Sequence, residues 1–172
     1  VGAENIVVLN GDVPLVKSTT IVDLISRHDE SDATVTVLTS RLIAPDGLGR
    51  IVRNQRGSIE AIIEEKEAGA DTLSINEINA GIYCFKVPWV WNALEALKPS
   101  GNGEFYITDL VALASAQELT TESIESKDPH EARGVNNRVE LSELELVVRE
   151  RILRDWMLRG VTITDPRTTY IA

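Results

Sequence analysis

Hydrophobic and polar positions alternate along the chain in blocks that predict strands separated by helices. Residues 6–10 form a short and nearly continuous apolar run, which is typical of a strand buried on both faces. Apolar residues at helical spacing follow over 21–25, and the preceding Ser18-Thr19 pair predicts the cap of that helix. Residues 33–40 are rich in β-branched side chains and predict a second strand.

The middle of the chain predicts a hairpin, a long strand and two helices. Residues 49–66 form two apolar runs joined by a tight turn at 55–57, which is the pattern of a β-hairpin. Residues 77–85 predict a strand that leads into a helix beginning at 87–88, because Pro is tolerated in the first helical turn. A further helix is predicted over 107–117.

The last third of the chain predicts a polar connection followed by one long helix. Residues 120–134 are mostly polar, and we expect them to cross the surface, with His130 as a solvated loop residue. His28, near the end of the first helix, is interpreted as a favourable helix C-terminal charge. The helix predicted over 139–159 has these expected core positions: Leu141, Leu144, Val148, Ile152 and Trp156.

This order of elements favours an α/β domain in which helices flank a mixed sheet. Val1 is not an initiator Met, and the first strand has the composition of an interior strand that needs neighbours on both sides. Residues 160–171 begin another extended segment. We therefore expect the chain to be a piece of a longer protein.

Composition narrows the function classes. The net charge of −10 argues against a protein that holds a nucleic-acid backbone, because that task normally needs a basic face. The single cysteine, Cys84, cannot form an internal disulfide, so a reducing, cytoplasmic setting is expected. No apolar run approaches the 18 residues or so of a membrane span, and we expect no membrane insertion.

Candidate chemistry begins where the first strand ends, at Asn10-Gly11-Asp12. Ligands of open α/β sheets bind beyond the carboxyl ends of the strands. A carboxylate there can hold a hard divalent cation against a phosphate, and Gly11 lets the backbone come close. A plain turn is the alternative for these residues taken alone. Small and polar groups recur at other predicted strand and loop ends, in GLGR, EEK, NAG, YITD and GVNNR.

Seven segments in a fixed order carry a family resemblance: LNGDVPL, GLGRIVR, IIEEKEA, EINAGIYCF, GEFYITD, GVNNRVELSELE and GVTITDPRTTYI. They resemble the uridyltransferase domain of the bacterial bifunctional N-acetylglucosamine-1-phosphate uridyltransferase/glucosamine-1-phosphate acetyltransferases. The resemblance implies a Rossmann-like nucleotidyltransferase fold truncated at its N-terminus. The family's N-terminal part, which is absent from these 172 residues, contains a Gly-rich loop whose Arg and Lys hold the triphosphate. Residues 1–159 would form the rest of that domain, and 160–172 the approach to, or first coil of, a left-handed β-helix.

The resemblance also implies an activity and its residues. The intact protein would transfer a uridylyl group from UTP to N-acetylglucosamine-1-phosphate with Mg²⁺ as cofactor, and it would be a homotrimer through the β-helix. Asp12 and Asn136 match the magnesium ligands, while Asn10, Gly11 and Asp12 match nucleotide contacts. Five further residues match the amino-sugar pocket: Gly49, Glu64, Asn79, Tyr106 and Thr108.

Two departures and several alternatives accompany this assignment. Leu48 occupies a position where many relatives have Tyr, and Asn10 replaces an aromatic residue found in some of them. Taken alone, Glu64 could pair with Lys66, and Asn79 could cap a turn. The chain could also belong to another sugar-1-phosphate nucleotidyltransferase, of thymidylyl or glucose-1-phosphate type, or to a noncatalytic module of the same fold.

Overall fold

A six-stranded mixed sheet runs through the computed structural model of the chain, which describes residues 2–101 and 103–171. The strands are β1 (Asn5–Leu9), β2 (Val35–Arg41), β3 (Arg50–Arg53), β4 (Ile59–Ile63), β5 (Glu77–Lys86) and β6 (Thr121–Glu125). The helices are α1 (Ser18–Glu30), α2 (Ala70–Leu73), α3 (Val87–Ala96), α4 (Asp109–Ala116) and α5 (Arg138–Leu158). The predicted α/β class is confirmed.

The strand order is β4-β3-β5-β2-β6, with β1 also paired to β5. Both β1 and β2 run antiparallel to β5, and β6 runs parallel to β2. Strands β1, β2 and β6 therefore point the same way, and their carboxyl ends meet at one edge of the sheet. The predicted hairpin is formed by β3 and β4, which pair antiparallel.

On one side, β5 pairs with β3 near its start and with β1 from Ile82 to Lys86. The N–H of Asn10, just after β1, donates to the carbonyl of Gly81 at 3.1 Å. Two residues earlier in β5, the N–H of Asn79 donates to the carbonyl of Gly49, just before β3, at 3.0 Å. The sheet therefore opens between β1 and β3, beside residues 79–81.

On its other side, β5 pairs with β2, and the register of this pairing shifts beside the same residues of β5. Val37 pairs with Tyr83 and Thr39 pairs with Asn79, so residues 80–82 of β5 lie opposite Leu38 alone. This bulge has Gly81 at its centre with φ of 71°, in the left-handed region that glycine adopts readily. Bulges re-aim side chains and are frequent next to active sites.

Two apolar clusters cover the two faces of the sheet. One contains Tyr83 and Phe85 with residues of α3 and α4, and the other contains Ile82 and Cys84 with Leu24 of α1. The alternation of β5 side chains between the clusters is that of a strand buried on both faces. Burial raises the pKa of the Cys84 thiol to about 11, so it behaves as a core residue. No helix among the described residues is long and apolar enough to span a bilayer.

The prediction of a surface linker over 120–134 was wrong, because β6 lies within this stretch. It pairs with β2 in parallel register, and the hydroxyl of Thr121 donates to the carbonyl of Ile59 at 2.7 Å. Its charged side chains have partners on neighbouring elements, with Glu122 bound by Arg27 and Glu125 bound by Arg41. Such pairs let a polar sequence form an edge strand that apolar periodicity cannot reveal.

The long helix α5 has the predicted extent but a different buried surface. Of the expected core positions, Leu144 is buried, whereas Leu141 and Trp156 are 51% and 40% exposed. Val148 is also exposed, and the second buried position is Leu153. Leu144 and Leu153 lie on opposite sides of the helix at about 100° per residue. Because α5 has apolar residues on several sides, spacing alone does not identify the packed stripe.

The predictions for the two histidines, His28 and His130, were both wrong. His28 is buried, with Nε2 3.2 Å from the amide oxygen of Asn5 and Nδ1 2.9 Å from the Thr36 hydroxyl. Burial lowers its pKa, so it is a neutral core residue and not a helix-terminal charge. His130 is half-buried in a 3₁₀ turn, not a solvated loop residue. The predicted Ser18 cap was also wrong, because Lys17 occupies the N-cap position without a side-chain hydrogen bond.

Candidate functional site

A cleft of about 440 Å³ lies where the sheet opens between β1 and β3. It is lined by eight of the residues singled out from the sequence: Asn10, Asp12, Gly49, Glu64, Asn79, Tyr106, Thr108 and Asn136. Gly11 is not among the lining residues. These residues come from six separate segments of the chain, and the fold brings them to one place.

Asn79 is held at the floor of the cleft by the bulge in β5. Its side-chain oxygen accepts the N–H of Gly81 at 3.0 Å, and its nitrogen donates to the Tyr83 hydroxyl at 2.6 Å. The alternative reading, in which Asn79 caps a turn, is partly right, since the amide does bind its own backbone. The same contacts fix the amide where it faces the cleft.

Asn10 and Gly81 are in close contact where the end of β1 meets the bulge in β5. A Cβ atom built on Gly81 would clash with the side-chain nitrogen of Asn10. Only glycine combines this contact with the positive φ of the position. The close approach keeps Asn10 against β5, at the edge of the cleft.

Glu64 and Thr108 form a second fixed pair in the cleft. The buried hydroxyl of Thr108 donates to the Glu64 carboxylate at 3.1 Å. Thr108 precedes α4 at the N-cap position, yet its side chain makes no capping hydrogen bond, because the hydroxyl is directed to Glu64. Gly49 packs against the same carboxylate, and a Cβ atom there would lie 3.5 Å from both oxygens of Glu64.

Asp12 lies against the loop that precedes α5. The N–H of Val135 donates to the backbone oxygen of Asp12 at 2.9 Å, and a Cβ atom on Gly134 would lie 3.4 Å from its carboxylate. The next residue, Asn136, donates its N–H to Glu140 at 2.6 Å. That N–H is the main reason why the pKa of Glu140 is lowered.

The charged side chains that line the cleft are all acidic. Its lining contains the carboxylates of Asp12 and Glu64, and among the described residues it contains no Lys or Arg. Neither carboxylate takes part in an ion pair with any residue that the structure describes. Within that same part of the chain no group of three or more His, Cys, Asp or Glu side chains could hold a metal ion. The cleft can therefore offer oxygen ligands to a cation, but not cationic side chains to a phosphate.

The cleft lining also contains residues to which the sequence assigned no site role, among them Gly81, Tyr83 and Phe105. Gly81 and Tyr83 follow Asn79 at steps of two along β5, and this alternation could have indicated that they share its face. Phe105 is 64% exposed on the cleft wall, beside Tyr106, whose hydroxyl donates to Glu104 at 2.8 Å. Nothing in the sequence distinguishes Phe105 from an ordinary surface aromatic.

Comparisons with known proteins identify the family to which the chain is similar. The family model described as Nucleotidyl transferase matches residues 1–131. The chain is 41% identical over 167 residues to "Bifunctional protein GlmU" of Shouchella clausii, covering 96% of this chain and 37% of that protein. It is 44% identical over 164 residues to the protein of the same name from Brevibacillus brevis, covering 95% and 36%. The chain therefore spans little more than a third of these curated relatives.

A solved structure shares the fold at low sequence identity. It is that of CMP:2-keto-3-deoxy-manno-octonic acid synthetase complexed with CTP, with a TM-score of 0.62 and 16% identity. The match covers 88% of this chain and 64% of that one. The resemblance drawn from the seven sequence segments is confirmed. On the match of its first 131 residues, this chain belongs to the nucleotidyl transferase family.

Proposed function

We propose that the parent protein transfers a uridylyl group from UTP to N-acetylglucosamine-1-phosphate, giving UDP-N-acetylglucosamine and pyrophosphate. In this proposal the chain supplies the amino-sugar pocket and the metal ligands. The observation that carries the proposal is the cleft at the bulge of β5, where eight of the nine residues implied by the family resemblance form one lining.

The sugar is held by neutral and anionic groups of fixed direction. The Glu64 carboxylate, oriented by Thr108, accepts hydrogen bonds from sugar hydroxyl groups. The Asn79 amide, held by Gly81 and Tyr83, donates its remaining N–H to an oxygen of the sugar or its acetamido group. This orients the phosphate of the substrate, whose oxygen attacks the α-phosphate of UTP as pyrophosphate leaves. No protein nucleophile is needed.

The donor set fits a Mg²⁺ ion held by Asp12 and Asn136. Magnesium is usually bound by one or two carboxylates together with substrate phosphates and waters. The Asp12 carboxylate forms no ion pair with described residues, and the Asn136 side chain carries an amide oxygen in the same cleft lining. When bound, the ion neutralises phosphate charge during the transfer. Asp12 and Asn136 orient the triphosphate relative to the sugar pocket.

The test uses the full-length protein with UTP, Mg²⁺ and either N-acetylglucosamine-1-phosphate or glucose-1-phosphate. We expect clear preference for the N-acetylated sugar. Asn79→Ala should raise the KM for N-acetylglucosamine-1-phosphate by about 5- to 100-fold, because a lost buried hydrogen bond costs about 1–3 kcal/mol, and leave the KM for UTP nearly unchanged. The matched control is Asn92→Ala, which removes an exposed amide on α3. Preference for glucose-1-phosphate would favour the alternative sugar nucleotidyltransferase.

We also propose that the 172-residue chain made alone does not catalyse the transfer at a useful rate. The cleft has no cationic side chain among its described lining residues to offset the charge of the leaving pyrophosphate. Strand β1 pairs with β5 alone among the described strands, which leaves one edge open for association. A pyrophosphate-release assay comparing this chain with the full-length protein tests the proposal, and comparable turnover would contradict it.

The finer assignments of setting and assembly also remain proposals that rest on the family resemblance. They are a cytoplasmic location and a homotrimer formed through a β-helix domain. Light scattering of the purified full-length protein measures the second directly, and a monomeric mass would contradict it.

A further inference from the structure

Tyr83 lies at the floor of the cleft, directly beneath Asn79. The tyrosine is only 1% exposed, and its ring stacks on Phe85 with 5.6 Å between ring centroids. Its hydroxyl reaches the cleft lining and lies 2.6 Å from the side-chain nitrogen of Asn79. Tyr83 therefore has a rigid, packed ring and one polar atom at the site.

The direction of the hydrogen bonds around Asn79 is set by the backbone. The Gly81 N–H can only donate, so the Asn79 side-chain atom 3.0 Å away must be the oxygen. The NH₂ group then faces Tyr83, and the tyrosine hydroxyl is the acceptor. Burial raises the pKa of Tyr83, and the Glu64 carboxylate adds to this, so the hydroxyl keeps its own hydrogen at neutral pH.

This arrangement decides which group Asn79 offers to a ligand. Both ends of the amide are engaged inside the protein, and one N–H of the NH₂ group remains uncommitted among the described contacts. The Glu64 carboxylate in the same lining can only accept. The cleft thus combines a fixed donor with a fixed acceptor, and the donor depends on Tyr83.

We infer that Tyr83 is a positioning residue for the sugar phosphate: its hydroxyl fixes the Asn79 amide so that an N–H faces an acceptor oxygen of the sugar. The inference rests on the proposed function and adds a specificity determinant to it. Without the hydroxyl, the amide keeps its bond to Gly81 but loses the contact that immobilises its NH₂ group. Removal of the Tyr83 hydroxyl should therefore weaken binding of the sugar phosphate and leave binding of the nucleotide unaffected.

The experiment measures both KM values and kcat in the full-length protein for wild type, Tyr83→Phe, Asn79→Ala and the double variant. Tyr83→Phe should raise the KM for N-acetylglucosamine-1-phosphate about 3- to 10-fold, the size expected for one neutral hydrogen bond, with the KM for UTP within about two-fold. In the Asn79→Ala background the same change should have no further effect, because its target is absent. Thr121→Val is the matched control, since it removes a buried hydroxyl bonded to Ile59 outside the cleft lining.

Each outcome decides the role of Tyr83. Equal increases in both KM values would show a general structural role and overturn the inference. So would an effect of Tyr83→Phe in the Asn79→Ala background, measured as the double variant against Asn79→Ala, that is as large as its effect in the wild type. If wild type prefers glucose-1-phosphate, the proposed function fails, whereas the same KM comparison with that substrate still decides the role of Tyr83. A crystal structure of the Tyr83→Phe protein is the readout independent of activity: an Asn79 amide as well ordered as in wild type would also overturn the inference.

Discussion

Asp12 and Asp128 follow strands that run in the same direction, β1 and β6, yet their surroundings are opposite. Asp128 is bound by Lys17 at 2.9 Å and by Arg151 at 2.8 Å, and it accepts the N–H of His130 at 3.1 Å. Burial alone would raise the pKa of Asp128, but the hydrogen bond from Lys17 and the other contacts lower it to about 2. Asp12 lines the cleft, is exposed, and has no ion pair among the described residues.

The difference separates a carboxylate that holds the fold from one that is left available. Asp128 connects the start of α1, through Lys17, to the middle of α5, through Arg151. The buried Glu131 adds a second partner for Lys17 at 3.1 Å. Asp12 is fixed through its backbone instead, by the N–H of Val135, so its carboxylate stays free for a cation. The contrast predicts that one side chain serves stability and the other serves activity.

The largest effect is expected for Asp12→Asn in the full-length protein. In the proposed function, Asp12 binds the ion that offsets phosphate charge, and a neutral amide in its place would weaken that binding, a contribution of several kcal/mol. We expect kcat/KM to fall on the order of 1,000-fold, with the thermal unfolding temperature unchanged. Steady-state kinetics and calorimetry measure the two quantities. Asp23→Asn, an exposed change on α1, is the control, and retention of activity by Asp12→Asn would remove Asp12 from the metal site.

Asp128→Asn should show the reverse pattern. The change leaves Lys17 and Arg151 without their shared charge partner, and we expect a loss of about 2 kcal/mol in the free energy of unfolding. Denaturant titration at pH 7 measures the loss, with the Asp12→Asn protein as the comparison. Activity at temperatures where the variant is folded should stay within a few-fold of wild type. A large fall in activity without a fall in stability would end the distinction between the two aspartates.

The sequence was sufficient for those parts of the molecule whose signals are local. The apolar run before Asn10, the hairpin turn near Gly57 and the proline at the start of α3 each indicate an element directly, and all three elements are present. The candidate site residues were proposed because short segments resemble a family, not because their chemistry is evident one residue at a time. Asn79 alone would have been interpreted as a turn cap.

The features that could not be predicted depend on tertiary pairing. Strand β6 has the polar sequence TESIE, and it is a strand because β2 and three arginines provide its partners. His28 looks like a surface charge until Thr36 and Asn5 are seen to enclose its ring. The role of Tyr83 depends on a bulge whose register is visible only when β2 and β5 are paired. Each case needs a contact between residues distant in the chain.

The smallest effect is expected for the pH dependence of the stability that Asp128 contributes. The folded-state pKa of Asp128 lies at about 2, below the ordinary value of 3.8 that it regains on unfolding. A carboxyl group with a lowered pKa stabilises the fold above pH 3.8, and this contribution is lost as the pH falls from 3.8 to about 2. Because the side chain is partly exposed, we expect only about 1–2 kcal/mol over this window. Unfolding free energies of wild type and Asp128→Asn, measured from pH 7 down to the lowest pH at which both fold, should converge as the pH approaches 2. A constant difference across the acid range would show that the charge of Asp128 is not what stabilises the contact between α1 and α5.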